Sequence, residues 1–273
     1  MNIVCIGAHP DDAEVHAGGT CVKWARLGHH VLFVSMTNGD IGHHEMGGGP
    51  LAMRRNAEAH RSAEHAGVRH LILDCHDGEL EPTLQVRKRV VEIIREFAAD
   101  IVLTHRSNDY HPDHRYTSLA VQDAAFMVTV PHFCPGAMPL MKNPVFLYFM
   151  DSFRKPTPFQ PDIAVDVSDV MDVKWFMLDA MESQVYEWLP WLDRRLDTVP
   201  QERAERLAWL KEAWDPRFTE PAKVGRTALA RWYGKRTAAK IRYAELFEIC
   251  EYGHQPSRAE IKRLFPFFPK RRT

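Results

Sequence analysis

Two short stretches of this sequence concentrate histidine and carboxylate side chains. The first is "GAHPDDAE" at residues 7–14, and the second is "HPDH" at residues 111–114. Imidazole nitrogens and carboxylate oxygens bind zinc, and a catalytic zinc takes three protein ligands while one position stays open for water. The i,i+3 spacing within each stretch lets two side chains converge from one turn. We therefore expect a metal-dependent hydrolytic site whose ligands are His9, Asp12 and His114.

Two further residues lie beside this ligand set. Asp11 is expected to take a proton from the attacking water, and His111 is expected to face the substrate. A pair of aspartates at the start of a helix also serves for capping and dipole compensation alone. The second histidine cluster favours the metal site over that simpler explanation.

Six short apolar runs predict β-strands at residues 3–8, 31–36, 68–73, 100–104, 144–149 and 162–167. Their unbroken apolar character is typical of strands that are buried on both faces. Helical stretches alternate with them. The chain therefore predicts an α/β fold of three layers, in which helices cover both faces of a mostly parallel, Rossmann-like sheet.

Polar clusters follow the first four predicted strands. Besides the two stretches above, "TNGD" at residues 37–40 follows the second strand and "CHDG" at residues 75–78 follows the third. Ligands of open α/β sheets bind at the carboxyl ends of the strands, where the strand order reverses. In a 3-2-1-4-5 order, strands one and four are neighbours, and their clusters face each other across one crevice. A dinucleotide site is excluded, because the carboxylates after the first strand would repel a pyrophosphate.

Apolar residues at helical spacing, and glycines that follow the first two stretches, predict helices at residues 13–27, 51–66 and 83–99. Beyond about residue 190 the pattern becomes helical, including the segment that ends in "YAELFEI" at residues 243–249. We therefore predict an α/β catalytic core at residues 1–190 and a helical C-terminal extension at residues 191–273 that packs on it.

Composition narrows the class of protein. The 273 residues carry a net charge of −1, and a nucleic-acid partner would demand a surplus of basic residues. The five cysteines are scattered and never spaced as CxxC, which is typical of thiols in a reducing compartment. No apolar run is long enough to span a bilayer, and the strand-like start leaves no room for a signal peptide. We expect a cytoplasmic protein.

These motifs resemble the LmbE-like, or PIG-L, family of zinc-dependent de-N-acetylases. "GAHPDDAE" is similar to the first motif of the family and "HPDH" to its second, and the similarity extends through "TNGD", "NDYHPDHR", "VDVSDVMDVK" and "ESQ". It covers roughly the first 185 residues. "YAELF" at residues 243–247 resembles a segment near the C-terminus of family members, and a buried amphipathic helix explains it equally well.

The resemblance implies the same three ligands, with Asp11 as general base and His111 as electrophile. It also implies that the protein hydrolyses the acetamide of an N-acetylglucosamine-type compound to acetate and a free amine. A protonated His111 would stabilise the oxyanion, and Asp113 would orient His111 or cap the helix that follows. The expected cofactor is Zn²⁺, with Fe²⁺ as the alternative, because a mixed N/O site binds several divalent ions.

Candidate substrate-binding residues are expected at the same edge of the sheet. A glycine-rich segment at residues 42–55 is a candidate lid. His16 stands where the first motif of the family more often has a small residue, and about one turn into the first helix it would either lie near the crevice and change substrate fit or face another helix. The candidates for contact with a small amino-sugar substrate are Arg54, Arg55, His76 and Asp109.

Two other classes of function stay open. Two histidines and a carboxylate also form the facial triad of non-haem Fe(II) oxygenases, and a catalytically silent metal-binding protein could keep the same fold. Asp11 and His111 favour the hydrolase, because neither alternative requires them. Assembly into a homo-oligomer is a further hypothesis.

Overall fold

A computed structural model describes residues 1–269 of the chain. Its seven-stranded sheet consists of β1 (Asn2–Gly7), β2 (His30–Ser35), β3 (Arg69–Ile72), β4 (Ile101–Thr104), β5 (Val145–Phe149), β6 (Ile163–Asp166) and β7 (Ala244–Gly253). The order across the sheet is β3-β2-β1-β4-β5-β7-β6. Strands β1 to β5 pair in parallel, and β7 runs antiparallel to both of its neighbours. The predicted 3-2-1-4-5 order is confirmed.

The α-helices are α1 (Asp12–Arg26), α2 (Gly48–Ala66), α3 (Leu84–Glu96), α4 (Pro112–Met127), α5 (Met171–Asp179), α6 (Leu189–Leu192), α7 (Arg203–Val224), α8 (Arg226–Tyr233), α9 (Lys235–Ala238) and α10 (Arg258–Leu264). A π-helical segment, Ser183–Trp188, leads into α6. Within the described residues, no helix is both long and apolar enough to cross a membrane.

Alternate residues of β1 supply two separate cores. Ile3 and Cys5 join the core under α1, α5 and the C-terminal helices, whereas Val4 and Ile6 join the core under α3 and α4. Side chains that alternate between two buried faces need apolar residues at every position, which explains the unbroken apolar run of this strand. The predicted three-layer architecture is confirmed.

Residues 244–249 belong to the strand β7, so their helical prediction is wrong. β7 inserts between β5 and β6, and Leu246 and Phe247 are buried there. Alanine and glutamate favour helices, but a place between two strands overrides such local preferences. The division of the chain near residue 190 stays a prediction. The C-terminal segment is helical except for this strand, and α7 and α8 pack against β7 and β6.

Candidate metal centre and active site

A cavity of about 800 Å³ opens at the carboxyl ends of the parallel strands. Loops after four successive strands reach its wall, as the polar clusters in the sequence predict. The side chains concerned are His9, Asp11 and Asp12 after β1, Ile41 after β2, Asp77 after β3, and Asp109, His111 and His114 after β4. The two histidine motifs therefore face each other across one crevice.

His9, Asp12 and His114 lie close together, in two overlapping clusters that could hold a metal ion: His9 with His111 and His114, and Asp12 with His105 and His114. His114 Nε2 is 3.2 Å from His9 Nδ1 and 3.5 Å from Asp12 Oδ1, and His9 Nδ1 is 3.7 Å from Asp12 Oδ2. Ligands of a tetrahedral zinc, at bond lengths of about 2.0–2.1 Å, lie about 3.3–3.4 Å apart. Two nitrogens and one oxygen are a donor set found in catalytic zinc sites. These residues fit a divalent metal.

The backbone just before Asp12 holds its carboxylate. Oδ2 accepts hydrogen bonds from the N–H groups of Ala8 and His9, each at 2.8 Å. Gly7 permits this approach, because a Cβ at residue 7 would lie 2.5 Å from Asp12 Cβ. Burial alone would raise the pKa of Asp12, but neighbouring histidines, His114 foremost, hold that pKa well below its usual range. One oxygen of an ionised carboxylate is thus fixed, and the other faces His114.

Carboxylates also surround the far side of the His9 ring. Nε2 lies 3.1 Å from Asp77 Oδ1 and 3.2 Å from Asp113 Oδ2. The N–H of Gly78 donates to the same Asp113 oxygen at 2.6 Å. Burial alone would lower the pKa of His9, but these carboxylates raise it to about 10. Histidines that bind metals are typically oriented by a carboxylate at the second nitrogen, and a pocket that stabilises positive charge suits a cation.

His114 has a matching partner in Asp109. His114 Nδ1 lies 3.2 Å from Asp109 Oδ1, and that oxygen also accepts the backbone N–H of His111 at 2.9 Å. The His114 ring stacks on His105, with ring centroids 4.1 Å apart. Asp109 was expected to bind substrate, and although it lines the cavity, its carboxylate is engaged by His114. His105 was not predicted, and its place directly after β4 was the signal available.

Asp11 lies beside the three converging side chains. In the described part of the chain its carboxylate makes no hydrogen bond that caps α1. Its Oδ2 is 3.5 Å from Arg55 Nη2, and Arg55 is fixed by hydrogen bonds to the carbonyls of Pro10 and Gly39, both at 3.2 Å. Burial raises the pKa of Asp11, although the charge of Arg55 opposes this rise. A carboxylate with a raised pKa is better suited to accept a proton near neutral pH.

His111, rather than Asp113, is the residue that caps α4. His111 Nδ1 accepts the backbone N–H of Asp113 at 3.2 Å, which leaves the proton of a neutral ring on Nε2. Burial, with the positive charges of His9 and His114, lowers the pKa of His111. The free protein therefore disfavours the expected imidazolium at residue 111, whose role in the reaction stays a prediction. Asp113 was predicted to orient His111 or to cap the helix; its carboxylate instead lies within hydrogen-bonding distance of the His9 ring, although it shares one cluster with His111.

The two arginines at the start of α2 differ in position. Arg54 lies outside the cavity lining, and its guanidinium donates two hydrogen bonds to Glu187, each at 2.7 Å, and one to Glu58 at 3.0 Å. Arg55 lines the cavity but is buried and faces Asp11. Successive helix residues point about 100° apart, so only one of the two reaches this wall. Both guanidinium groups are engaged within the protein, which argues against the predicted contact with substrate.

His76 and Asp77, like the two arginines, differ in whether they reach the cavity. His76 is exposed and its Nδ1 is 2.5 Å from Asp40 Oδ2, whereas Asp77 is buried and lines the cavity. The prediction that His76 binds substrate is therefore wrong, and its neighbour is the residue of this loop that reaches the site.

His16 lies in the cavity wall, which agrees with the first of its two expected positions, near the crevice. Its ring stacks on Phe149 with centroids 5.2 Å apart, and it meets His105 edge-on at 5.8 Å. Burial, aided by the charge of His105, lowers the pKa of His16 to about 3. His16 is therefore neutral at neutral pH.

A buried ion pair in the cavity wall holds α1 from the side. Glu245 of β7 accepts hydrogen bonds from the N–H groups of Gly19 and Thr20, at 2.8 and 2.7 Å, and from Lys174 Nζ at 2.6 Å. Lys174 also donates to the carbonyl of Val15 at 2.8 Å. Both charged residues lie in segments that the family resemblance singles out, "VDVSDVMDVK" and "YAELF", without indicating that they meet. The pair joins α5 and β7 to the helix that begins at the metal centre.

The sequence is similar to proteins of known activity. The family model for PIG-L, GlcNAc-PI de-N-acetylase, matches residues 4–125. Diacetylchitobiose deacetylase of Thermococcus kodakarensis is 35% identical over 206 residues, which is 70% of this chain and 74% of that protein.

Solved structures share the fold. N,N'-diacetylchitobiose deacetylase from Pyrococcus horikoshii matches with a TM-score of 0.67 at 25% identity, covering 91% of this chain and 83% of the other. GalB, the 4-carboxy-2-hydroxymuconate hydratase from Pseudomonas putida, matches with a TM-score of 0.71 at 20% identity, covering 94% and 99%. Because a deacetylase and a hydratase share this architecture, the fold by itself does not define the reaction.

Proposed function

This chain belongs to the PIG-L family of GlcNAc-PI de-N-acetylases, and we propose that it is a zinc-dependent hydrolase that removes the acetyl group from an N-acetylglucosamine-type substrate. The products are acetate and a free amine. The observation that carries the proposal is the convergence of His9, Asp12 and His114 with Asp11 beside them.

His9, Asp12 and His114 would hold the metal. Zinc, when bound, lowers the pKa of coordinated water to about 7 and polarises a carbonyl group. Fe²⁺ is the alternative metal, because the same donors bind it. Asp113 and Asp109 act as positioning residues, since each carboxylate lies within hydrogen-bonding distance of the second ring nitrogen of one ligating histidine: Asp113 for His9 and Asp109 for His114.

Asp11 is the proposed general base and acid. It accepts a proton from water as the water oxygen forms a bond to the amide carbon. It then returns that proton to the nitrogen as the bond between carbon and nitrogen breaks. Arg55, at 3.5 Å, orients the carboxylate between the two transfers.

His111 is proposed to stabilise the oxyanion as a neutral hydrogen-bond donor. The N–H of Asp113 occupies Nδ1 and so leaves Nε2–H to donate. A neutral donor avoids the cost of protonating a ring that lies between two other histidines, and a preorganised donor is effective in a site with little water.

We also propose that residues 1–190 carry the chemistry and that residues 191–273 complete the cavity. Trp214, Phe218 and Leu246 from the second segment line the same cavity as the catalytic candidates, which supports this division of roles. A cytoplasmic location and a homo-oligomer stay predictions.

The experiment that tests the function measures acetate and free amine from N-acetylglucosamine glycosides and diacetylchitobiose. The purified protein is assayed as isolated, after chelation, and after addition of Zn²⁺ or Fe²⁺, with its metal content measured in parallel. We expect acetate and amine in equal amounts, loss of both after chelation, and recovery with metal.

Three results would contradict the proposal. Oxygen uptake with a 2-oxo acid and no acetate would favour the iron oxygenase. Bound metal without any turnover would favour a silent metal-binding protein. Hydration of an unsaturated carboxylic acid without acetate release would assign the reaction to the hydratase class that shares this fold.

A further inference from the structure

His105 lies directly after β4 and contacts Asp12, one of the three proposed metal ligands. Its Nε2 is 3.1 Å from Asp12 Oδ2, and the two side chains are 3% and 9% exposed. The contact joins neighbouring loops, because β4 pairs with β1 and Leu103 lies opposite Cys5. Asp12 lines the cavity and His105 does not, so the histidine lies behind the wall that the ligand belongs to.

His105 donates a hydrogen bond to Asp12 through a proton on Nε2. The N–H of Ala8 lies 2.8 Å from Asp12 Oδ2 and 3.2 Å from His105 Nε2, so it donates to the closer carboxylate oxygen. An ionised carboxylate only accepts hydrogen bonds, and the contact at 3.1 Å therefore requires that Nε2 carries its own proton. A ring nitrogen that carries a proton has no lone pair for a metal ion.

Three donors thus share one oxygen of Asp12. Oδ2 accepts the backbone N–H groups of Ala8 and His9, each at 2.8 Å, and the ring N–H of His105 at 3.1 Å. The other oxygen, Oδ1, lies 3.5 Å from His114 Nε2. Because all three hydrogen bonds fall on Oδ2, they fix the direction of the carboxylate and leave Oδ1 for a metal ion.

The orientation of the His105 ring separates it from the ligand set. Asp12, His105 and His114 lie close enough together to form a candidate metal cluster. The rings of His105 and His114 are stacked, however, with 12° between their planes and 4.1 Å between their centroids. A metal ion lies close to the plane of each imidazole that binds it, because the nitrogen lone pair lies in that plane. Two nearly parallel rings at this separation cannot both have the same ion in their planes.

Aromatic rings hold His105 in place. Its ring stacks on His114 and meets Phe149 and His16 edge-on, with centroids 5.3 and 5.8 Å away. A side chain that packing already fixes loses little conformational freedom when it donates a hydrogen bond. His105 therefore supports two of the proposed ligands, Asp12 by a hydrogen bond and His114 by stacking.

We propose that His105 is a positioning residue of the metal site, whose Nε2–H directs Asp12 so that Oδ1 binds the metal, and that His105 is not itself a ligand. The inference rests on the proposed function, because it concerns the metal centre of that hydrolase. Groups that orient a metal ligand typically contribute about 10–100-fold to metal affinity or activity.

The test separates the N–H donor of His105 from its ring. His105→Gln keeps an N–H donor at about the position of Nε2 and removes the ring, whereas His105→Phe keeps a ring and removes the donor. His16→Phe is the matched control, since His16 is a neighbouring imidazole whose side chain makes no hydrogen bond to Asp12. The Zn²⁺ affinity of each purified full-length protein is measured by competition with a chromophoric chelator, and urea unfolding of the metal-free proteins is measured in parallel.

We expect His105→Phe to weaken Zn²⁺ binding by about 10–100-fold. His105→Gln should retain most of the native affinity, and His16→Phe should leave the affinity unchanged. When Zn²⁺ is saturating, His105→Phe should keep the native KM for substrate, because His105 does not reach the cavity. If His105→Phe does not fold, His105→Leu removes the donor with a smaller side chain and carries the same expectation.

Two results would overturn the proposed role of His105. Loss of Zn²⁺ from His105→Gln as complete as that from His114→Ala would make His105 a ligand. Native Zn²⁺ affinity in His105→Phe would reduce its role to packing. Both results are measured by metal binding alone, so absence of acetate release by the native protein would count against the proposed function and not against this role.

Discussion

At the inner end of the cavity, both ring nitrogens of His9 and His114 have protein partners, whereas at the outer end the side chains of Arg217 and His16 make no hydrogen bond with the described residues. The inner groups come from loops after β1, β3 and β4, and they hold one another in place. The outer groups come from α7 and from one side of α1. The difference teaches that the candidate catalytic groups are held by the edge of the sheet, whereas the outer side chains are presented by helices and are held by fewer contacts.

The largest expected effect is loss of the metal at the inner end. His114→Ala should abolish acetate release and leave the purified protein without stoichiometric metal, because two remaining ligands bind zinc poorly. Elemental analysis checks this directly. His76→Ala is the matched control, since His76 is exposed and outside the cavity. A fully loaded, active His114→Ala protein would remove this residue from the ligand set.

Asp11→Asn should separate catalysis from metal binding. We expect kcat to fall by about 10²–10⁴-fold, because an amide cannot carry the proton, while the metal content stays unchanged. Asp12→Asn serves for comparison and should lose metal as well as activity. If Asp11→Asn retained native kcat, the base would have to be another group.

Glu245→Ala tests how much the buried ion pair between Lys174 and Glu245, in the wall of the cavity, contributes to stability. Removing this carboxylate leaves Lys174 buried without its partner, which should lower the free energy of unfolding by about 3–5 kcal/mol in urea titrations. The double variant Lys174→Met with Glu245→Leu should recover most of the loss, because it removes both charges. A single variant as stable as the native protein would show that the pair contributes little.

Asp113→Asn should lower metal affinity or activity without abolishing either. The carboxylate that orients His9 is replaced by an amide, and we expect metal affinity or activity to fall by about 10–100-fold. Competition with a chelator of known affinity measures the first quantity. Asp109→Asn should act similarly through His114, and no change in either variant would remove both residues from the support of the ligands.

The smallest effect is expected outside the cavity. Arg54→Gln should change kcat/KM by no more than about twofold, and loss of its partly exposed ion pair with Glu187 should cost about 1 kcal/mol or less of stability. Steady-state kinetics and thermal unfolding check the two expectations. A large increase in KM would return Arg54 to the substrate site.

Much of the fold could be predicted from the sequence, because the parallel strands carry a simple signal. Runs such as "NIVCIG" are apolar at every position, and the six predicted strands fall within two residues of β1 to β6. The strand "AELFEICEYG" contains alanine and three glutamates. It is buried at its first four residues and largely exposed at its last three. That composition favours a helix locally, and only the gap between β5 and β6 makes it a strand.

The candidate site, like the fold, has a part that local sequence predicts and a part that depends on tertiary packing. Residues within one motif, such as His9 and Asp12, share a turn, and their spacing shows that they can converge. Which of two neighbours faces the cavity depends on backbone direction, so the sequence predicts His76 and Asp77 equally well, and only the structure shows that Asp77 reaches the wall. Contacts between distant segments, such as Lys174 with Glu245 or Asp113 with His9, depend on tertiary packing. The spacing of residues within one segment does not predict them.

The position of β7 in the sheet also affects the order in which the strands can pair while the chain is being synthesised. β6 ends at Asp166 and β7 begins at Ala244, yet β7 is the strand that connects β6 to the sheet in the described structure. Strands β1 to β5 can pair as they emerge, whereas contacts over so long a separation form late. A nascent chain without β7 would bring the candidate metal ligands together, but it would lack both the carboxylate of Glu245 that faces Lys174 and the outer wall of the cavity. The part of the cavity wall that α7 and β7 supply is then completed only after the parallel strands have paired.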